Sequence, residues 1–225
     1  MADFHIYIGY RSLSSWSLRG WLPLVKSGAP FEETLVRYRT FEGRQRLNQL
    51  SPTGKVPFLV HKRDGREIKV WDSIAIGEYL AELFPAKHLW PEDAAARAHA
   101  RSISAEMHSG FRPLREHLSM ALLDRHPNPN NPQANADIQR IEKMWRECRE
   151  TWGKSSGGNG GGPFLFGGWT IADAMYAPVV TRFRTYGVKL GATGAAYMEA
   201  VLADPDFRRW KDQARRDSPP EPQTD

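Results

Sequence analysis

Three serines crowd the segment Ser14-Ser15-Trp16-Ser17-Leu18-Arg19, which lies between a short β-rich run and a stretch of helical spacing. A helix N-terminus carries about half a positive charge and several unpaired N–H groups. A thiol brought there loses its proton more readily, because the dipole and the hydrogen bonds stabilise the thiolate. A serine hydroxyl suits that role, since it donates to sulfur without competing as a nucleophile at neutral pH. Serines at such a junction also act as plain N-caps, so the run alone leaves both readings open. Two further segments carry groups of the same kind. Ser51-Pro52-Thr53-Gly54-Lys55-Val56-Pro57 leads into another β-rich run. A cis bond before Pro57 would cost only about 0.5–1 kcal/mol, and an edge-strand proline is the plainer alternative. Asp72-Ser73 opens a helical pattern, where a hydroxyl and free N–H groups meet an anion; capping explains that pair as well.

Composition excludes several other chemistries. The single cysteine, Cys148, sits in a helix-like stretch and allows no internal disulfide or multi-cysteine metal site. The seven histidines show no metal-ligand spacing, so no metal is expected. A net charge of +5 is mild, and the pairs Arg208-Arg209 and Arg215-Arg216 read as a solvated helix face. Nucleic-acid binding is not expected, because no basic stripe with stacking aromatics and no reader motif is present. No apolar run approaches the roughly 18 residues that a membrane helix needs, so no membrane partner is expected. Met1-Ala2-Asp3-Phe4-His5 lacks the basic start and apolar core of a secretion signal, and the expected location is cytoplasmic.

The elements that must hold these residues alternate at first. Residues 4–8 form a β-rich run; Leu18, Trp21, Leu22 and Val25 then recur at helical spacing. Residues 33–38 suggest a second strand, and residues 39–50 a mobile helix or loop. Residues 56–60 and 67–71 pair through an Asp64-Gly65 hairpin turn. Ile74, Ile76, Tyr79, Leu80 and Leu83 then form a helical stripe, which completes the order β-α-β-α-β-β-α. Pro85 and Pro91 bracket a linker, and only helix signals follow. The expected helices run from residue 93 to about 123 with a kink at Pro113, from 134 to 152, and from Ile171, Thr193 and Pro205 onward. A rigid loop over residues 126–132, a flexible Gly/Ser-rich stretch over 155–162 and a disordered tail over 217–225 complete the expectation. The expected domains are residues 1–84 and 92–216. Thr170-Ile171-Ala172-Asp173 has the spacing of a capping box and is read as a folding device.

In order and spacing, these segments resemble the cytosolic glutathione S-transferase superfamily, over nearly the whole chain up to about Trp210. The serine run resembles the Ser-Ser-Cys-x-x-Arg signature of the zeta class in a bacterial-type serine enzyme, with Trp16 in place of the cysteine. The resemblance implies an α/β thioredoxin-like N-terminal domain followed by an all-α helical-bundle C-terminal domain. It implies glutathione as co-substrate, no metal, Ser14 as the catalytic hydroxyl and Ser15 as second choice. Lys55, Val56, cis-Pro57, Asp72 and Ser73 would bind glutathione. Met107, His108 and Phe111, with Leu114, fall at helical spacing and would line the pocket of a small electrophilic substrate, although such stripes more often form core, and the chain would form a homodimer. Conjugation is the first expectation. The alternatives are a maleylacetoacetate-type isomerase and a non-catalytic interaction module of the same fold. The arginine with which zeta enzymes hold the substrate acid corresponds here to Thr185, with Arg182 and Arg184 nearby.

Overall fold

The computed structural model describes residues 3–128, 131–154 and 161–217. The tail from residue 218 and the centre of the Gly/Ser-rich stretch, 155–160, lie outside the described residues, as do residues 129 and 130 of the 126–132 loop. The α/β half runs β1 (Phe4–Ile8), α1 (Ser15–Ser27), β2 (Phe31–Leu35), α2 (Phe41–Leu50), β3 (Phe58–Arg63), β4 (Arg66–Trp71) and α3 (Ser73–Leu83). The helical half runs α4 (Ala94–Ser109), α5 (Arg112–His117), α6 (Asn135–Thr151), α7 (Ile171–Tyr186), α8 (Ala192–Ala203) and α9 (Pro205–Arg216). This is the expected fold class, a mixed sheet with helices followed by a helical domain.

The sheet order is β2-β1-β3-β4, with β1 parallel to β2 and antiparallel to β3, and β3 antiparallel to β4. Alternation along β1 buries Phe4, Ile6 and Ile8 with Leu18, Leu22 and Ile76 of α1 and α3. The opposite face carries a smaller cluster of Val36, Leu47, Phe58 and Val60 beneath α2. The second strand lies earlier than the sequence pattern suggests. Phe31 pairs with Phe4 and Leu35 with Ile8, so the parallel register is complete before Val36 turns into the smaller cluster. The polar stretch before Leu50 is a helix after all, capped by the Thr40 hydroxyl at the Gly43 N–H and pinned inward by Leu47.

The first helix of the bundle is shorter than its pattern suggests. α4 stops at Ser109, Phe111 takes φ 58°, and Pro113 starts a new short helix instead of kinking a long one. Asp217 is the last described residue, and its carboxylate accepts from Arg11 Nη1 at 2.7 Å. One hydrophobic core spans both halves, with α1 at its centre. Trp21 of α1 lies 5.1 Å from Trp210 of α9, and Ile171 N–H donates to Leu89 O at 2.8 Å.

Candidate active site

At the start of α1 the Ser14 hydroxyl is the N-cap. It accepts from Ser17 N–H at 3.3 Å and donates to Ser17 Oγ at 2.8 Å, while Ser17 Oγ accepts Gly9 N–H at 2.9 Å. These bonds fix the serine run against the end of β1. Ser15 is equally buried, and its hydroxyl makes no hydrogen bond among the described residues. No acidic side chain stands in the first turn, so the positive end of the helix dipole is uncancelled there.

Trp16 is the part of this run that reaches a cleft of about 550 Å³. Thr53, Lys55, Val56 and Pro57 form one wall, Trp71, Asp72 and Ser73 another, and His108 and Ser109 close it from α4. The first wall is set by Ser51, whose buried hydroxyl accepts from Lys55 N–H at 3.2 Å and donates to Lys55 O at 2.8 Å. The Val56-Pro57 bond is cis, and Val56 precedes the register of β3 with its neighbours.

The second wall is strained. Asp72 is the N-cap of α3 with φ 73° and ψ 134°, a region costly to a residue with a Cβ. Its Oδ1 accepts Ile74 N–H at 2.9 Å, and its Oδ2 lies 3.2 Å from His108 Nε2. Ser73 is 2% exposed, and its Oγ has no hydrogen-bond partner among the described residues; neither has His108 Nδ1. Buried polar atoms are normally paired. The Ser73 hydroxyl therefore stands free to accept or donate a bond at the strained start of α3.

The structure thus brings Lys55, Val56, Pro57, Asp72, Ser73 and His108 to one cleft, whereas Ser14 and Ser15, two residues and one residue before Trp16, are buried and outside its lining. Met107 and Phe111 lie outside the lining of this cleft. Met107 is fully buried in the hydrophobic core, and Phe111 is 8% exposed and faces the same core. Leu114 goes with them. Thr53, Trp71 and Ser109 also line the cleft; Thr53 and Trp71 fall inside the motif segments, whereas no sequence signal marks Ser109. A larger groove of about 890 Å³ lies elsewhere, along α3 and the linker. There Arg101 is already paired with Glu78 at 2.9 Å, and the backbone is unstrained save at His88, so it makes no second candidate.

The thiol at Cys148 takes no part. It is buried in α6, and burial pushes its pKa up to about 12. Among the described residues no group of three or more His, Cys, Asp or Glu side chains could hold a metal ion, and no helix is long and apolar enough to cross a membrane.

Sequence models of the glutathione S-transferase N-terminal and C-terminal domains match residues 13–83 and 94–213. The chain belongs to the glutathione S-transferase family. Over 120 residues it is 36% identical to a probable maleylacetoacetate isomerase of Caenorhabditis elegans, which is 53% of each chain. Over 112 residues it is 36% identical to the maleylacetoacetate isomerase of Rattus norvegicus, covering 48% of this chain and 49% of that one. The chain spans about half the length of the curated relatives it matches. Among solved structures, a glutathione transferase homolog from Burkholderia gl BGR1 with bound glutathione is 27% identical. Its TM-score is 0.66, over 96% of this chain and 100% of that one. A maleylacetoacetate isomerase from Anaeromyxobacter dehalogenans 2CP-1, with dicarboxyethyl glutathione and citrate in its active site, is 25% identical. Its TM-score is 0.67, over 97% of this chain and 95% of that one.

Proposed function

We propose that the chain is a glutathione transferase: it binds glutathione in the cleft, ionises its thiol and delivers the thiolate to a small hydrophobic electrophile. The observation that carries this reading is convergence: the cis-Pro57 wall, the orphaned Ser73 hydroxyl and Trp16, two residues after the Ser14 cap of α1, line one cavity. The backbone of Val56 pairs with the cysteinyl unit of the tripeptide as an added strand. Ser73 and the first N–H groups of α3 receive the γ-glutamyl carboxylate, and Asp72 exchanges His108 for the γ-glutamyl ammonium. Lys55 meets the glycine carboxylate.

The sulfur then lies at the start of α1. A free thiol of pKa about 8.5 is mostly protonated at neutral pH. Ser14 turns its O–H from Ser17 Oγ toward the sulfur, an adjustment that needs only rotation about its C–O bond. The thiol proton passes to solvent, and the sulfur lone pair attacks the electrophilic carbon while the leaving group departs with the displaced electron pair. Holding both reactants in one cleft supplies the remaining acceleration. The chain acts as a cytoplasmic homodimer in detoxification, with the α/β half of one copy against the helices of the other.

A second reading, glutathione-dependent isomerisation of a maleyl substrate, is supported by the names of the relatives above. Trp16 in place of a cysteine and Thr185 in place of an arginine speak for conjugation. Calorimetry with glutathione, followed by parallel turnover of a chloro-nitrobenzene and a maleyl acid, tests both. Binding with faster chloro-nitrobenzene turnover is expected. Failure to bind glutathione would leave only the non-catalytic module, and faster maleyl isomerisation would put the second reading first.

A further inference from the structure

Arg19 is fully enclosed, yet its guanidinium is only one-third satisfied. Its Nε donates to Met175 O of α7 at 2.9 Å, while Nη1 and Nη2 are buried without a hydrogen-bond partner among the described residues. Two further arginines close in on it. Arg115 of α5 spends its N–H groups on the carbonyls of Met107, His108 and Gly110, the end of α4. Arg182 of α7 donates to the carbonyls of Leu118 and Arg115, and its Nε is also unpartnered. No carboxylate among the described residues balances any of the three. Burial lowers the proton affinity of each, and the charges of Arg115 and Arg182 lower that of Arg19 further.

Stapling helices together explains the single N–H bonds but not the charge. A neutral amide could hold Met175 O, and it would not leave two guanidinium nitrogens orphaned beside two other cations. Uncompensated buried charge is costly. The cluster is placed where such charge would act on the cleft. Arg19 Cζ lies 4.9 Å and Arg115 Cζ 4.8 Å from the centre of the Trp16 ring, and Trp16 lines the cleft. Neither guanidinium lines the cavity; each stacks on the indole that does. Of the charged groups that line the cavity itself, Lys55 and His108 add positive charge or none, and Asp72 is the sole carboxylate. Tyr176 faces Arg19 from α7 and stays neutral, its pKa raised well above the ordinary value by burial.

We propose that Arg19, backed by Arg115 and Arg182, is a positioning residue for charge: its fixed positive field, acting through Trp16, keeps the glutathione sulfur ionised. This rests on the glutathione reading of the cleft. A unit charge roughly 10 Å away at an effective dielectric of about 20 shifts a pKa by about one unit.

Ultraviolet titration of the thiolate of bound glutathione, on the full chain, tests it. Arg19→Met should raise the bound thiol's pKa by about one unit, Arg19→Lys should leave it within a few tenths, and Arg182→Met should raise it less. Affinity for S-methylglutathione, which has no thiol proton, should stay within about twofold of wild type in all three, whereas loosened packing would weaken it. Equal shifts in Arg19→Met and Arg19→Lys, or a folded Arg19→Met that titrates like wild type, overturn the proposal. Should Arg19→Met fail to fold, an unmoved titration in Arg182→Met overturns it alone. A wild-type chain whose bound thiol titrates like free glutathione removes the glutathione reading and this proposal together. A depressed wild-type pKa with unmoved arginine variants sinks only the proposal.

Discussion

Ser14 combines two roles that substitution can separate. As the N-cap of α1 it satisfies Ser17 N–H, and its loss to alanine should cost about 1 kcal/mol in urea denaturation. As sulfur donor its loss should return the bound thiol toward about pKa 8.5. Ser15→Ala, which breaks no hydrogen bond among the described residues, should change stability by less than about 0.5 kcal/mol and leave the titration near wild type. A larger titration shift in Ser15→Ala than in Ser14→Ala would exchange their roles. Ser73 is the opposite case. Its orphaned buried hydroxyl contributes no hydrogen bond to the folded chain, so Ser73→Ala should leave stability unchanged or raise it by up to about 1 kcal/mol. Glutathione affinity, read by calorimetry, should nevertheless fall about tenfold, the worth of one charge-assisted hydrogen bond. Lower stability with unaltered affinity would make Ser73 a structural residue. The serines, Pro57 and Asp72-Ser73 were legible in the sequence because each is a local signal, a cap or a punctuating proline. The orphaned state of Ser73 was not, because it depends on what the other half of the chain leaves uncovered.

At the scale of elements, the start of α7 shows how a local signal and a tertiary one combine. Thr170 and Asp173 form the expected capping box, and Asp173 also accepts Leu165 N–H at 3.1 Å. Burial nonetheless raises the Asp173 carboxyl from 3.8 to about 6, against the opposing effect of its hydrogen bonds. The folded chain therefore holds a proton that the unfolded chain has already released, and stability falls as pH rises between those values. The loss attributable to Asp173 is about 3 kcal/mol from below pH 4 to above pH 6. Urea midpoints measured across that range should decline in wild type, and Asp173→Asn should lack this part of the slope. Parallel slopes would mean that the buried carboxyl titrates normally. The bundle's first helix marks where local reading failed. Met107, Phe111 and Leu114 all pack into the one core although α4 ends at Ser109 and Phe111 at φ 58° and Pro113 restart the chain, so their spacing marked core and not a pocket. The kink expected at Pro113 is a restart instead, because Phe111 leaves the helical region two residues earlier. β2 was misplaced for a related reason: its register is chosen by the pairing of Phe31 with Phe4, which strand propensity does not encode.

Across the whole molecule, α1 belongs to both halves at once. Its Leu18 and Leu22 pack with the sheet, while Trp21 meets α9 and Arg19 bonds the backbone of α7. α3 touches α7 at one tight point, since a Cβ on Gly77 would lie 3.2 Å from Ile171 Cγ2, with Ile171 fully buried beside the capping box. Neither half can then open without exposing core of the other, and the described chain should unfold as one unit. Far-UV circular dichroism and tryptophan fluorescence should give coincident urea transitions. Gly77→Val should shift both together by about 1–3 kcal/mol, as overpacking against an enclosed neighbour does. Ile171→Val in the Gly77→Val background should recover part of that loss, because it removes a methyl group from the crowded side. Additive costs in the double variant would show that the two residues do not press on each other. Two separated transitions, with only one moved by Gly77→Val, would mean that the halves are joined by contact and not by a common core. The cleft would then open and close independently of folding. With a common core, the distance from Ser14 to the cis-Pro57 wall is set by the same packing that sets stability. Gly77→Val should therefore weaken glutathione binding even though residue 77 lines no part of the cleft.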